Sequence, residues 1–171
     1  RVLLALDGSV ASVRALNAVR SLDLHAAEIA LIYVAETSWI DVGMERECIS
    51  CGDRVRDSVA PEIAWDKQVR AHGQRVLGSA REQFVKSYPG VRTQLAEGIP
   101  SSEILREAAT RDCDLIVLGA TGATDLKHEL LGSTAHRTAW DANCSVLVVR
   151  PTSVRMRETA PEGREMAHAR G

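Results

Sequence analysis

The residues best suited to chemistry lie in one stretch, Gly119-Ala-Thr-Gly122-Ala-Thr-Asp-Leu-Lys-His-Glu-Leu-Leu-Gly132-Ser133-Thr134. Gly119 closes an almost wholly apolar run, where a missing side chain lets a ligand approach the backbone. Gly122 permits a turn that gathers amide N–H groups into an anion-binding nest. Gly132-Ser133-Thr134 opens a helix, and a helix start offers unpaired N–H donors and the positive end of a dipole. The hydroxyls of Ser133 and Thr134 can add hydrogen bonds to phosphate oxygens. Together these parts describe a polyphosphate cradle built mostly from backbone. The same residues also suit an ordinary strand-to-helix turn with an N-cap, and spacing alone leaves both readings open. No Gly-Lys-Ser/Thr occurs, so a lysine-bearing phosphate loop is excluded, and GxGxxG is absent too.

The elements that must position this stretch are legible from hydrophobic patterning. Four short runs are nearly all apolar: Val2–Leu6, Ile29–Val34, Leu115–Leu118 and Val146–Val149. Such runs suit parallel strands covered on both faces. Val91–Leu95 alternates apolar and polar residues, as a half-exposed edge strand does. Helices are expected between them. The first is capped by Ser9 and carries Val13, Leu16, Val19 and Leu22 inward. A longer one carries Val69, Val76, Leu77, Ala80 and Phe84 and is stopped by Tyr88-Pro89-Gly90. A third opens at Ile99-Pro100-Ser101-Ser102-Glu103, and a fourth runs from Gly132 to near Asn143. Alternating strands and helices predict a single doubly wound α/β domain with a five-stranded parallel sheet and helices on both faces. Residues 36–60 read as a long loop, and residues 152–171, without apolar periodicity, as a mobile tail.

Composition narrows the function classes. A chain of 171 residues with 45% hydrophobic and 26% charged residues has room for one well-packed core. No apolar run approaches the roughly 18 residues of a membrane span, so membrane insertion is not expected. The net charge of −2 and 4% aromatic content exclude a basic face or a stacking platform for nucleic acid. Four cysteines, two of them beside apolar strands, do not make a disulfide framework, and no signal peptide is visible; the cytoplasm is the expected location.

The pattern G-x2-G-x9-G-[ST], met by residues 119, 122, 132 and 133, resembles the nucleotide-binding signature of the universal stress protein family. Ala5-Leu6-Asp7-Gly8-Ser9 is similar to the family's first strand and turn. Gly98-Ile-Pro100 is similar to the start of its third helix, Asp114–Gly119 to its fourth strand, and Cys144–Pro151 to its last. The resemblance spans residues 1–151. It implies strand order 3-2-1-4-5 and a site for ATP, or for ADP or AMP, with Mg2+ or Mn2+ as a metal partner. It places Asp7 near the ribose, the backbone of Val34 at the adenine edge, and Gly119, Gly122, Gly132, Ser133 and Thr134 around ribose and phosphates. It also implies a homodimer formed through the exposed apolar edge 146–149. Ser145, where the family often has Pro, and Thr138 and Ala139, where it has larger apolar residues, depart from the pattern.

No catalytic set emerges from the sequence. Lys127, His128 and His136 fall close to the cradle, but no general base has an evident orienting partner. The expected function is therefore regulatory: a stress-response module whose nucleotide occupancy alters contacts with an unidentified protein partner. The alternative is a slow ATPase, or a protein that autophosphorylates on Ser133 or Thr134. A third possibility rests on Cys48-x-x-Cys51, which supplies two ligands of a zinc site that Glu45, Glu47, Asp53 or a second subunit would complete, or a redox pair.

Overall fold

The computed structural model describes residues 1–22, 24, 27–36, 39–42, 45–48, 54–56, 59–122 and 131–150. Its elements in chain order are β1 (Val2–Ala5), α1 (Val10–Ser21), β2 (Ile29–Ala35), β3 (Trp39–Val42), β4 (Glu45–Cys48) and β5 (Arg54–Arg56). There follow α2 (Val59–Phe84), β6 (Arg92–Glu97), α3 (Pro100–Thr110), β7 (Leu115–Gly119), α4 (Ser133–Asp141) and β8 (Ser145–Val149). Five strands form one parallel sheet in the order β6-β2-β1-β7-β8. Counted along that sheet alone the order is 3-2-1-4-5, as expected.

The central strands are apolar on both sides because both sides are covered. On one face Leu4, Leu31 and Val117 pack with Leu16 and Val19 of α1 and with Leu77, Ala80 and Phe84 of α2. On the other, Leu3, Ile32, Ile116 and Leu118 pack with Ile104 and Ala108 of α3 and Ala135 of α4. Burying an aliphatic or aromatic side chain of this size contributes about 1.5–3 kcal/mol, so each face is a substantial source of stability. β6 at one edge is exposed at Arg92 and Thr93, the half-polar pattern its sequence predicts.

Three expectations change. The inward face of α1 is Ala11, Ser12, Ala15, Leu16 and Val19, whereas Val13 and Leu22 are exposed. The small residues face the sheet because the helix lies close to β7, leaving no room for Val13 there. The segment read as a loop after the second strand instead holds a three-stranded antiparallel sheet, β3-β4-β5, and the start of α2. Charged residues hid β4 and β5: in register Glu45 stands opposite Arg56 and Glu47 opposite Arg54, with Arg46 opposite Val55. The fifth parallel-sheet strand read at Val91–Leu95 runs from Arg92 to Glu97. The tail 152–171 lies outside the described residues.

Candidate functional site

β1 is short, and its neighbours outrun it. Its pairing with β2 ends at Ala5 and Ile32, with the Leu6 N–H donating to the Ile32 carbonyl at 2.9 Å. Along a strand the backbone groups of alternate residues face the same neighbour. The N–H and C=O of Val34 therefore point to the β1 side, past the place where β1 has stopped, while the Ala35 carbonyl turns the other way and accepts from Gly98 N–H at 3.1 Å. On the opposite flank Ala120 N–H donates to Val149 of β8 at 2.9 Å, so the Gly119 backbone faces the β1 side as well. Val34 and Gly119 thus flank a cleft at the point where the sheet's winding reverses, the position at which doubly wound folds take ligands.

The turn leaving β1 fills the floor of that cleft. Asp7 Oδ1 accepts the Ser9 N–H at 2.9 Å, which closes a local turn. Ser9 then caps α1, its hydroxyl accepting from Ser12 N–H at 3.1 Å. Gly8 has φ +80°, and a Cβ on it would stand 2.9 Å from His72 Nε2. The Asp7 carboxylate consequently does two jobs. One oxygen sets the turn, and Oδ2 lies 3.2 Å from where a Cβ on Gly122 would be.

The described ends of the glycine-bounded stretch meet beside this turn. Gly132 N–H donates to the Ala120 carbonyl at 2.7 Å, which joins the two ends of the segment. A Cβ on Gly132 would stand 3.4 Å from Ala120 O and 3.9 Å from Gly122 N. Gly132 is the N-cap of α4 and its N–H is spent on that closure, so its part is to place the helix start, not to donate to a ligand. The first intrahelical bond runs from His136 N–H to Gly132 O. The amides of Ser133, Thr134 and Ala135 are therefore the orphan donors of α4, gathered beside Gly122. Gly119 has a second reason to be glycine: a Cβ there would come within 2.7 Å of the Ala11 carbonyl carbon and Cβ in α1.

All seven residues singled out in the sequence, Asp7, Val34, Gly119, Gly122, Gly132, Ser133 and Thr134, gather at this end of the sheet. The donor set suits a phosphate ester, since it consists of amide N–H groups at a helix start with hydroxyls alongside. Lys127, His128, Cys51 and Asp53 lie outside the described residues, as do the side chains of Glu45, Glu47 and Cys48. Among the described residues, no three His, Cys, Asp or Glu side chains converge as a metal site. His136 stacks on Trp140, with ring centroids 6.4 Å apart and planes 13° apart.

The sequence did not single out Tyr33, His72 or Gly73. The Tyr33 ring meets His72 edge to face at 5.8 Å, and Gly73 makes room for it, since a Cβ there would lie 2.5 Å from Tyr33 Cδ1. Burial, and then the nearby Asp7 carboxylate, push the Tyr33 hydroxyl above its ordinary pKa. No short motif announces this group; helical spacing of His72 and Gly73 against Val69 and Val76 was the sole hint. Beside the cleft a groove of about 670 Å3 opens between α3 and α4, lined among others by Glu36, Ile99, Ser101, Ser133, Thr134 and Arg137.

A doubly wound parallel sheet, with an Asp-Gly turn and Gly119, Gly122 and Gly132 at its strand-end cleft, defines a class of α/β proteins. Within that class the chain belongs to the universal stress protein family, whose description matches residues 49–150. It is 33% identical over 154 residues to universal stress protein YxiE of Bacillus subtilis, covering 88% of this chain and 98% of that one. Universal stress protein UspA from Lactobacillus plantarum superposes with a TM-score of 0.66 at 27% identity, over 87% of this chain and 96% of that one. A universal stress protein family protein from Arabidopsis thaliana, solved with AMP bound, shares the fold at 14% identity with a TM-score of 0.59, over 89% and 92% of the two chains. Among the described residues, no helix is long and apolar enough to cross a membrane.

Proposed function

We propose that the chain is an adenine-nucleotide-binding regulatory protein of the stress response, with ATP as its ligand. The observation that carries this reading is the convergence of three backbone features at the end of β1. Val34 offers an N–H donor and a C=O acceptor side by side, which matches the donor–acceptor edge of adenine. Gly119 and the Asp7 carboxylate stand where ribose hydroxyls would need partners. Gly122 and the amides of Ser133 and Thr134 face the phosphates, where a helix start favours negative charge. Mg2+ or Mn2+ held on the phosphates would offset the acidity of Asp7. The AMP-bound relative supports the ligand class.

The reading extends to the cytoplasm as the working compartment and to a homodimer paired through strand 146–149. It treats occupancy, not turnover, as the output: a ligand that prefers one state of the protein shifts the population of surfaces offered to a partner. Phosphate release under saturating Mg-ATP no faster than from buffer is the expected result. Sustained turnover would replace the regulatory reading with that of a slow ATPase.

The direct test is to identify nucleotide retained on the purified protein by mass spectrometry, and to repeat it with Gly122→Val. A Cβ at 122 already stands 3.2 Å from Asp7 Oδ2, and two further methyl groups would fill the space over that carboxylate. Loss of at least about tenfold in ATP affinity is expected, the equivalent of about 1.4 kcal/mol. Unchanged retention in the variant would overturn the cradle.

A further inference from the structure

The groove between α3 and α4 holds a polar group that the nucleotide cleft leaves unused. Ser101, in the first turn of α3, is only 3% exposed, yet it lines the groove. Its hydroxyl makes no hydrogen bond among the described residues, and its oxygen is open to the space of the groove, where a ligand could supply the partner. Pro100 occupies the first turn of the same helix, and the first intrahelical bond runs from Glu103 N–H to Ile99 O. The amides of Ser101 and Ser102 are thus orphan donors.

Across the groove stand Ser133 and Thr134 at the start of α4. One turn further on is Arg137, which has no carboxylate within ion-pair distance among the described residues. Two helix starts and one guanidinium therefore face one space. Glu36, at the end of β2, is the one acidic side chain on its lining, and it sits by Gly98 and Ile99 on the α3 side. The balance favours an anion held toward α4, within reach of Arg137.

We propose that this groove receives the terminal phosphate of a nucleoside triphosphate, with Arg137 and Ser101 as the residues that discriminate phosphate-chain length. The inference rests on the nucleotide reading above, because Ser133 and Thr134 belong to both the cradle and the groove. A phosphate chain that passes the start of α4 is led into the groove. A monophosphate stops short of it. Arg137 supplies what a Walker-type lysine supplies elsewhere, from a helix turn and not from a loop.

Isothermal titration of AMP, ADP and ATP in EDTA, against the full chain and three variants, tests this. The unaltered protein is expected to prefer ATP to AMP. Arg137→Gln should lose about tenfold in ATP affinity and less than about twofold in AMP affinity. Arg137→Lys should fall between, because it keeps the charge and loses the fork. Ser101→Ala should cost about threefold for ATP alone. Thermal melting checks that each variant folds, and Ser101→Ala carries the test if Arg137→Gln does not. An unchanged ATP-to-AMP ratio in the folded variants, with AMP still bound, overturns the groove assignment and leaves the cleft intact. Equal loss of AMP and ATP overturns it too, since the side chain would then hold the nucleoside. No binding of any of the three to the unaltered protein overturns both readings.

Discussion

At the residue scale, the glycines show how one residue type answers to different physical demands. Gly122 is close to a carboxylate, Gly132 to a carbonyl across a loop closure, and Gly119 to the backbone of a helix. The sequence reads Gly119 as a place where a ligand nears the backbone, Gly122 as a turn and Gly132 as a helix start. For Gly119 the structure adds a packing reason. A methyl group there would meet Ala11 at 2.7 Å, and a backbone atom cannot rotate out of the way. Gly119→Ala is therefore expected to destabilise the fold by about 1–3 kcal/mol through overpacking of α1 against β7, read as a lower urea midpoint. A midpoint equal to that of the unaltered protein would show that α1 is free to lift from the sheet. Asp7 was legible because Asp-Gly after an apolar run is a turn signal with a mechanism. Ser101 and Arg137 were not, since nothing in local sequence says that the starts of two helices far apart in the chain share a groove.

At the element scale, the five parallel strands were legible because burial on both faces writes continuous apolar runs such as Leu115–Leu118. α1 was legible as a helix and in the inward Leu16 and Val19, but not in the rest of its facing, because Ala11, Ser12 and Ala15 carry too little hydropathy to outvote Val13. Sequence patterning weighs side chains, whereas a close helix–strand approach selects for their absence. β4 and β5 escaped because each is mostly charged, Glu45-Arg46-Glu47 and Arg54-Val55-Arg56, and no apolar run marks either. α4 shows a further cost of its departure from the family pattern. Thr138 is completely buried, and its Oγ1 has no partner among the described residues. Thr138→Val keeps the branched shape and removes the orphaned hydroxyl, so a gain of about 1 kcal/mol in stability is expected from thermal or chemical melting. A loss of stability would mean that the hydroxyl finds a partner in solution.

At the scale of the whole molecule, net charge bears on the proposed phosphate ligand. Residues 1–150 hold 17 basic and 20 acidic residues, an unpromising balance for a phosphate binder. The proposed cradle is compatible with it, because its donors would be amides at a helix start, which carry no formal charge. The homodimer proposed above would depend on the sheet's margins. In β8, Ser145 N–H donates to Asp114 and Val149 O accepts from Ala120, so these residues face β7. By alternation the N–H groups of Val146 and Val148 point outward. Val148→Pro removes an outward donor without touching the β7 ladder. If copies pair through this strand, the unaltered protein should sediment as a dimer and the variant as a monomer with an unchanged far-UV spectrum. A variant that stays dimeric would place the interface elsewhere.

The two margins are unlike in a way that bears on how far association can go. β6 ends the sheet with Arg92 and Thr93 exposed and with Glu97 tied to Arg70 of α2. β8 ends it with four aliphatic residues in a row, none of them fully covered. Charge along a margin discourages strand addition, and aliphatic side chains invite it. A sheet cohesive at both margins can add copies without limit and grow into a fibre. One cohesive at a single margin satisfies itself in a closed, two-fold pair and has nothing left to extend. If copies pair through β8, the polar character of β6, unremarkable as an edge strand, would leave that pair no second margin from which to polymerise.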